Sequence, residues 1–121
     1  MDTIIVVDDD EIFCRLLKTV LEFENYQVVV EPNPDNLLPT VHQVEPTLVL
    51  MDVHSQEGDT LDVLRELRAD DTLEALPVVM TSGMDRSEEC LKAGATDFIL
   101  KPFRPTELIT LVADLVARKK G

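Results

Sequence analysis

The sequence predicts an α/β protein whose five-stranded parallel sheet is doubly wound, with helices on both faces. Three observations lead there. Five short apolar runs recur along the chain, stretches of helical periodicity separate them, and charged or hydroxyl residues stand where several runs end. Strand and helix alternating at this spacing imply right-handed crossovers and therefore parallel strands.

The first run, Thr3 to Val7 (TIIVV), is continuous and largely β-branched, as expected of a central strand covered on both faces. Ile12, Leu16, Val20 and Phe23 then recur at intervals of three or four, the period of a helix with an apolar stripe. Tyr26 to Val30 (YQVVV) reads as the second strand. Pro34 and Pro39 interrupt residues 33–43, which predicts a short, irregular second helix. The third strand is Thr47 to Met51 (TLVLM), and Leu61, Leu64 and Leu67 mark the third helix. Val78 to Thr81 (VVMT) follows Pro77 as the fourth strand, and a short helix over Arg86 to Ala93 closes at Gly94. Asp97 to Leu100 (DFIL) is the fifth strand and stops just before Lys101-Pro102. Thr106 suits the N-cap of a last helix that buries Leu108, Leu111, Val112, Leu115 and Val116. Arg118, Lys119 and Lys120 in its last turn complement the helix dipole.

A chain of 121 residues suits one compact domain over 1–121, with no second, output domain expected. With 45% hydrophobic and 29% charged residues, it can build a core beneath a soluble surface. No apolar run approaches the ~18 residues of a membrane span, and MDTIIVVDDD turns acidic too early for a signal peptide, so a cytoplasmic location is expected. Cys14 and Cys90 fit no metal-binding or CxxC spacing and read as reduced core thiols. A formal charge of −13 argues against direct binding to nucleic-acid phosphates and for a cation or a basic protein surface as partner.

In open α/β sheets, ligands bind beyond the carboxyl ends of the strands. The first strand runs straight into Asp8-Asp9-Asp10-Glu11, four carboxylates that a cation would relieve, although Asp10 also suits the cap of the first helix. The third strand ends in Asp52, facing the same crevice as Asp8 and Asp9. Three carboxylates on one rim make a hard-oxygen site suited to Mg²⁺, and a carboxylate beside Mg²⁺ can act as a nucleophile toward phosphorus. Thr81-Ser82-Gly83 ends the fourth strand with a hydroxyl able to donate to a phosphoryl oxygen, and Lys101 ends the fifth with an ammonium able to pair with Asp52.

This ordered set resembles the receiver domain of bacterial two-component response regulators over nearly the whole chain. The resemblance rests on VVDDDE (6–11), PTLVLMD (46–52), Asp59, LPVVMTSG (76–83), KAGATDFILKPF (92–103) and PTEL (105–108). It implies a flavodoxin-like (βα)5 fold with strand order 2-1-3-4-5 and a stand-alone receiver of the chemotaxis type. It also implies that Asp52 is the phosphoacceptor, that Asp8 and Asp9 are the acidic pair with Asp9 the more direct Mg²⁺ ligand, and that the His54 backbone carbonyl is a further ligand. Lys101 corresponds to the phosphate-pairing lysine, joined to Pro102 by a cis bond. Phe98 corresponds to the aromatic that changes rotamer, and Ser82, with Thr81 as the alternative, to the hydroxyl sensor.

Some positions depart from the family's pattern. A proline and a glycine usual after the phosphoacceptor are Gln56 and Thr60 here, and His54 and Ser55 replace residues that are often apolar or amide. The implied function is a switch, not an enzyme beyond its own phosphotransfer and dephosphorylation. A histidine kinase or phosphotransfer protein supplies the phosphoryl group, and the surface of the fourth helix, fifth strand and fifth helix selects a protein target or a weak dimer. Two other readings stay open. Gln56 and Thr60 leave room for a receiver-like module that works without phosphorylation. A small-molecule aspartyl-phosphate hydrolase commonly has a second Asp two residues after the nucleophile, where this chain has His54, and no P-loop or GxGxxG is present.

Overall fold

The computed structural model describes residues 1–55 and 58–120, with side chains described through Arg118. Five parallel strands form one sheet: β1 (Thr3–Val7), β2 (Gln27–Glu31), β3 (Leu48–Asp52), β4 (Val78–Ser82) and β5 (Asp97–Leu100). Their order across the sheet is β2-β1-β3-β4-β5, so the chain moves outward to one edge, returns past β1 and continues to the other edge. The helices are α1 (Glu11–Phe23), α2 (Leu37–Val44), α3 (Leu61–Ala69), α4 (Ser87–Ala93) and α5 (Pro105–Lys120). This is the doubly wound, flavodoxin-like order expected from the sequence. The expected irregular second helix is a 3₁₀ turn over Pro34–Asn36 that leads into α2.

Alternate residues of each strand point to opposite faces, and both faces are covered, so the strands read as unbroken apolar runs. Ile4, Val6, Leu48, Leu50, Val79 and Ile99 meet α1 and α5 through Cys14, Leu17, Leu21, Leu108 and Val112. Ile5, Val7, Val49, Met51, Val78 and Met80 meet α2, α3 and α4 through Leu37, Val41, Leu64, Leu67 and Cys90. Both cysteines are buried and free.

Two expectations about the helices are corrected. The stripe Ile12, Leu16, Val20 and Phe23 is not the buried side of α1: Ile12 and Phe23 are 79% and 86% exposed, and Cys14, Leu17 and Leu21 pack instead. Both sets have helical spacing. What selects between them is the start of the helix, where the Asp10 carboxylate accepts from the Ile12 and Phe13 N–H groups and turns residue 14 toward the sheet. Thr106 is not the N-cap of α5. The helix begins at Pro105, two residues earlier than a Thr106 cap would start it, and the Arg104 carbonyl accepts from Leu108 N–H. Proline is favoured at a first helical position because no partner is lost there.

Candidate functional site

Strand parity assembles the carboxyl rim. Asp8, Asp52 and Lys101 each lie an even number of residues beyond strand residues that face α1 and α5, so all three project on that side. Lys101 Nζ stands 3.1 Å from Asp8 Oδ2 and 3.5 Å from Asp52 Oδ2. Its ammonium also lies 4.1 Å from the centre of the Phe13 ring, which packs edge-on against Phe103 at 5.9 Å. The aromatic face and two carboxylates hold one cation between β1, β3 and β5. The Lys101-Pro102 bond is cis, as the resemblance implied.

Asp8 is buried and paired: one oxygen takes Lys101 and the other accepts the Asp10 N–H at 3.0 Å. Asp9 is exposed on the loop. Asp52 is partly buried, and burial pushes its carboxyl above the ordinary range; Lys101 opposes that shift and the charge on Asp8 adds to it. A cleft of about 530 Å³ lies beside these groups, and Asp8, Asp9, Asp52, His54 and Asp59 are among its lining residues.

The expected cluster of three metal-binding carboxylates is not assembled among the described residues. Asp8, on the same cleft, pairs with Lys101 and the Asp10 N–H. Mg²⁺ needs only one or two carboxylates because it keeps several waters. Asp9 and Asp52, hard-oxygen donors on one cleft, fit such an ion. The His54 carbonyl fits as well. Residues His54–Ser55 and Gly58–Asp59 form a small antiparallel ladder, and the neighbouring Thr60 N–H donates to Val53 O at 2.8 Å. His54 and Asp59 are then a non-hydrogen-bonded pair, with the backbone polar groups of His54 turned outward. Its N–H indeed faces Asp52 Oδ1 at 3.4 Å. Gln56, where the family's proline is replaced, lies outside the described residues.

At the end of β4, Thr81 is the register partner of Asp52 and is buried in the strand. Ser82, also buried, has its hydroxyl 3.2 Å from His54 Nε2 and accepts the Met84 N–H at 3.1 Å. Phe98 is part-buried on β5 and packs on the α2–α3–α4 side. Two contributors were not identified from the sequence. Thr60, noted there only as a departure from glycine, donates its hydroxyl to the Asp52 carbonyl at 2.7 Å. Phe13 sits on the helix after the acid run, and nothing in its spacing marks it as a partner of Lys101.

An acidic rim bridged by a lysine from the last strand of a doubly wound sheet defines a receiver domain. The model of the response regulator receiver domain matches residues 4–113, and the chain belongs to that family, which serves two-component systems. Among curated relatives, it is 34% identical over 99% of its length to the DNA-binding response regulator MtrA of Mycolicibacterium smegmatis, covering 54% of that protein. Among solved structures, a putative response regulator from Chloroflexus aurantiacus matches with a TM-score of 0.89 at 27% identity, over 96% of this chain and 98% of that one. The BeF3-activated N-terminal receiver domain of Klebsiella pneumoniae RstA matches with a TM-score of 0.86 at 28% identity, over 95% and 98% of the two chains. The chain spans about half the length of the curated relatives it matches. The expectation of no nucleic-acid partner therefore does not extend to a longer protein of the kind that MtrA is. No helix of the described residues is long and apolar enough to cross a membrane.

Proposed function

We propose that this domain is a phosphorylation switch in which Asp52 accepts a phosphoryl group from a phosphohistidine of a histidine kinase or phosphotransfer protein. The observation that carries the reading is the Lys101 ammonium poised between Asp8 and Asp52 at the mouth of an acidic cleft. An Asp52 carboxylate oxygen attacks phosphorus in line, forming an O–P bond as the N–P bond to the donor imidazole breaks. The imidazole nitrogen keeps the bonding pair. Mg²⁺, held by Asp9, Asp52 and the His54 carbonyl, would supply charge neutralisation for the phosphoryl oxygens. Lys101 pairs with the transferred group, and Asp8 keeps that lysine in place. Ser82 follows the new phosphate, whose charge is about −1.5 to −2, and Phe98 turns to fill the space released. The surface of α4, β5 and α5 then selects a protein target or a second copy, in the cytoplasm, with no catalysis beyond the domain's own phosphotransfer and dephosphorylation.

The activated state named for the RstA receiver supports the same chemistry here. Incubation of the chain with acetyl phosphate and Mg²⁺ should add one phosphoryl group by intact mass, and Asp52→Asn should add none. Stoichiometric labelling of the Asn variant would refute the assignment. A wild type that never labels would favour an interaction module independent of phosphorylation.

A further inference from the structure

We infer that the His54 imidazole is a positioning residue that holds the Ser82 hydroxyl in its resting place, so that the phosphorylated state forms only after a His54–Ser82 hydrogen bond is broken. The inference rests on the phosphorylation reading above and adds to it a restraint supplied by a residue outside the shared motifs.

Four bonds fix the geometry. Thr60 donates its hydroxyl to Asp52 O at 2.7 Å and its N–H to Val53 O at 2.8 Å, and Val53 N–H donates to Thr81 O at 2.8 Å. These anchor the start of the ladder to both β3 and β4. The fourth runs from the ladder's first residue, with His54 Nε2 3.2 Å from the buried Ser82 Oγ. The imidazole thus crosses the gap between the strand end that bears the phosphoacceptor and the one that bears the sensor.

A serine hydroxyl has one proton and two lone pairs. Met84 N–H occupies one lone pair. If Nε2 is the unprotonated nitrogen, the single hydroxyl proton is committed to it and is withheld from a phosphoryl oxygen. If Nε2 carries the proton, it fills the second lone pair and tethers the oxygen to the loop. In the first tautomer the hydroxyl must leave His54 to donate to the phosphate; in the second its proton is free, and the bond to His54 is lost as the oxygen moves toward the phosphate. The bond belongs to the resting state alone, so it biases the equilibrium against activation. One ordinary hydrogen bond shifts such an equilibrium by roughly two- to tenfold.

The test is equilibrium binding of beryllofluoride with saturating Mg²⁺ to the whole chain, followed by the Phe98 amide resonance. No phosphoryl group is hydrolysed in it, so any effect of His54 on an attacking water leaves the readout unmoved. His54→Ala should lower the half-saturating concentration roughly two- to tenfold. His54→Gln, whose amide can reach the same hydroxyl, should stay closer to wild type. In a Ser82→Ala background, His54→Ala should have no effect. Saturable wild type with an unchanged His54→Ala overturns the inference and leaves the phosphorylation reading standing. An equal shift with and without the Ser82 hydroxyl overturns it too. A wild type that never saturates overturns both.

Discussion

Gly94 terminates α4 and sets the direction of β5, and replacing it with alanine tests how tightly the far side of the sheet is locked. Its backbone has φ +113°, a region that side chains with a Cβ rarely adopt. That conformation alone costs alanine about 1–2 kcal/mol. An added Cβ would lie 2.5 Å from Arg68 Cγ, a mid-chain atom that cannot simply swing aside. The Arg68 guanidinium is pinned by Nε donating to Gly94 O at 2.7 Å, by Nη1 donating to Leu73 O at 2.9 Å, and by Nη2 facing Thr96 Oγ1 at 3.3 Å. Moving Arg68 gives up one or two of these bonds, at about 1 kcal/mol each. The sum is a loss of about 2–4 kcal/mol, a large part of a small domain's stability. At roughly 4 °C per kcal/mol, the melting temperature falls by about 8–16 °C. Urea melts of Gly94→Ala read by circular dichroism measure it, with an unchanged m-value as the check on two-state behaviour. In an Arg68→Ala background only the backbone cost should remain, about 1–2 kcal/mol. A loss below about 1 kcal/mol, or the same loss with and without Arg68, would refute this account of the α4–β5 corner.

Further outcomes can be measured on the same protein. Lys101→Met leaves the buried Asp8 carboxylate facing Asp52 without a counter-charge. It should cost about 1–3 kcal/mol at pH 7, less than for a fully enclosed pair because the cleft is open. Acidification protonates the Asp52 carboxyl, which burial holds above its ordinary value, and should narrow that deficit; a deficit that stays constant as the pH falls contradicts the pairing. The Cys14 thiol is pushed up to about 11, first by burial and then by the charges of Asp8 and Asp10. Native Cys14 should therefore resist aromatic disulfide reagents at pH 8 and react once urea unfolds the chain. Between pH 9 and pH 11 the unfolded thiol ionises while the folded one keeps its proton, so folding stability falls as pH rises. Relative to Cys14→Ala, wild type should lose stability of order 2 kcal/mol across that window. Parallel curves would show that Cys14 does not experience the burial proposed for it.

The sheet was legible because its central strands are covered on both faces. Continuous runs such as Ile4–Val7 and Leu48–Met51 need no partner to declare themselves, and the residues just beyond them had to fall on the carboxyl rim. Asp52, Asp8, Asp9 and Lys101 were recognisable for that reason. Strand limits shifted by about one residue, as with β2 at Gln27–Glu31 and β3 at Leu48–Asp52, because hydrogen-bond pairing and not side-chain type ends a strand. The buried side of α1 was not legible. Two apolar stripes share the helical period, and the Asp10 cap together with packing on the sheet chose Cys14, Leu17 and Leu21.

The sequence by itself determined the chain order of the five sheet strands and five helices and the chemical identity of the rim, since both follow from local periodicity and strand ends; the short ladder of His54–Ser55 with Gly58–Asp59 was not among them. Only the tertiary structure decided who meets whom across the rim. Lys101 bridges Asp8 and Asp52, Phe13 stacks beneath its ammonium, Thr60 braces the Asp52 carbonyl, and His54 reaches Ser82. The physical reason is distance along the chain: Lys101 and Asp8 are separated by 93 positions and His54 and Ser82 by 28, and no local pattern encodes a contact that strand order and register create.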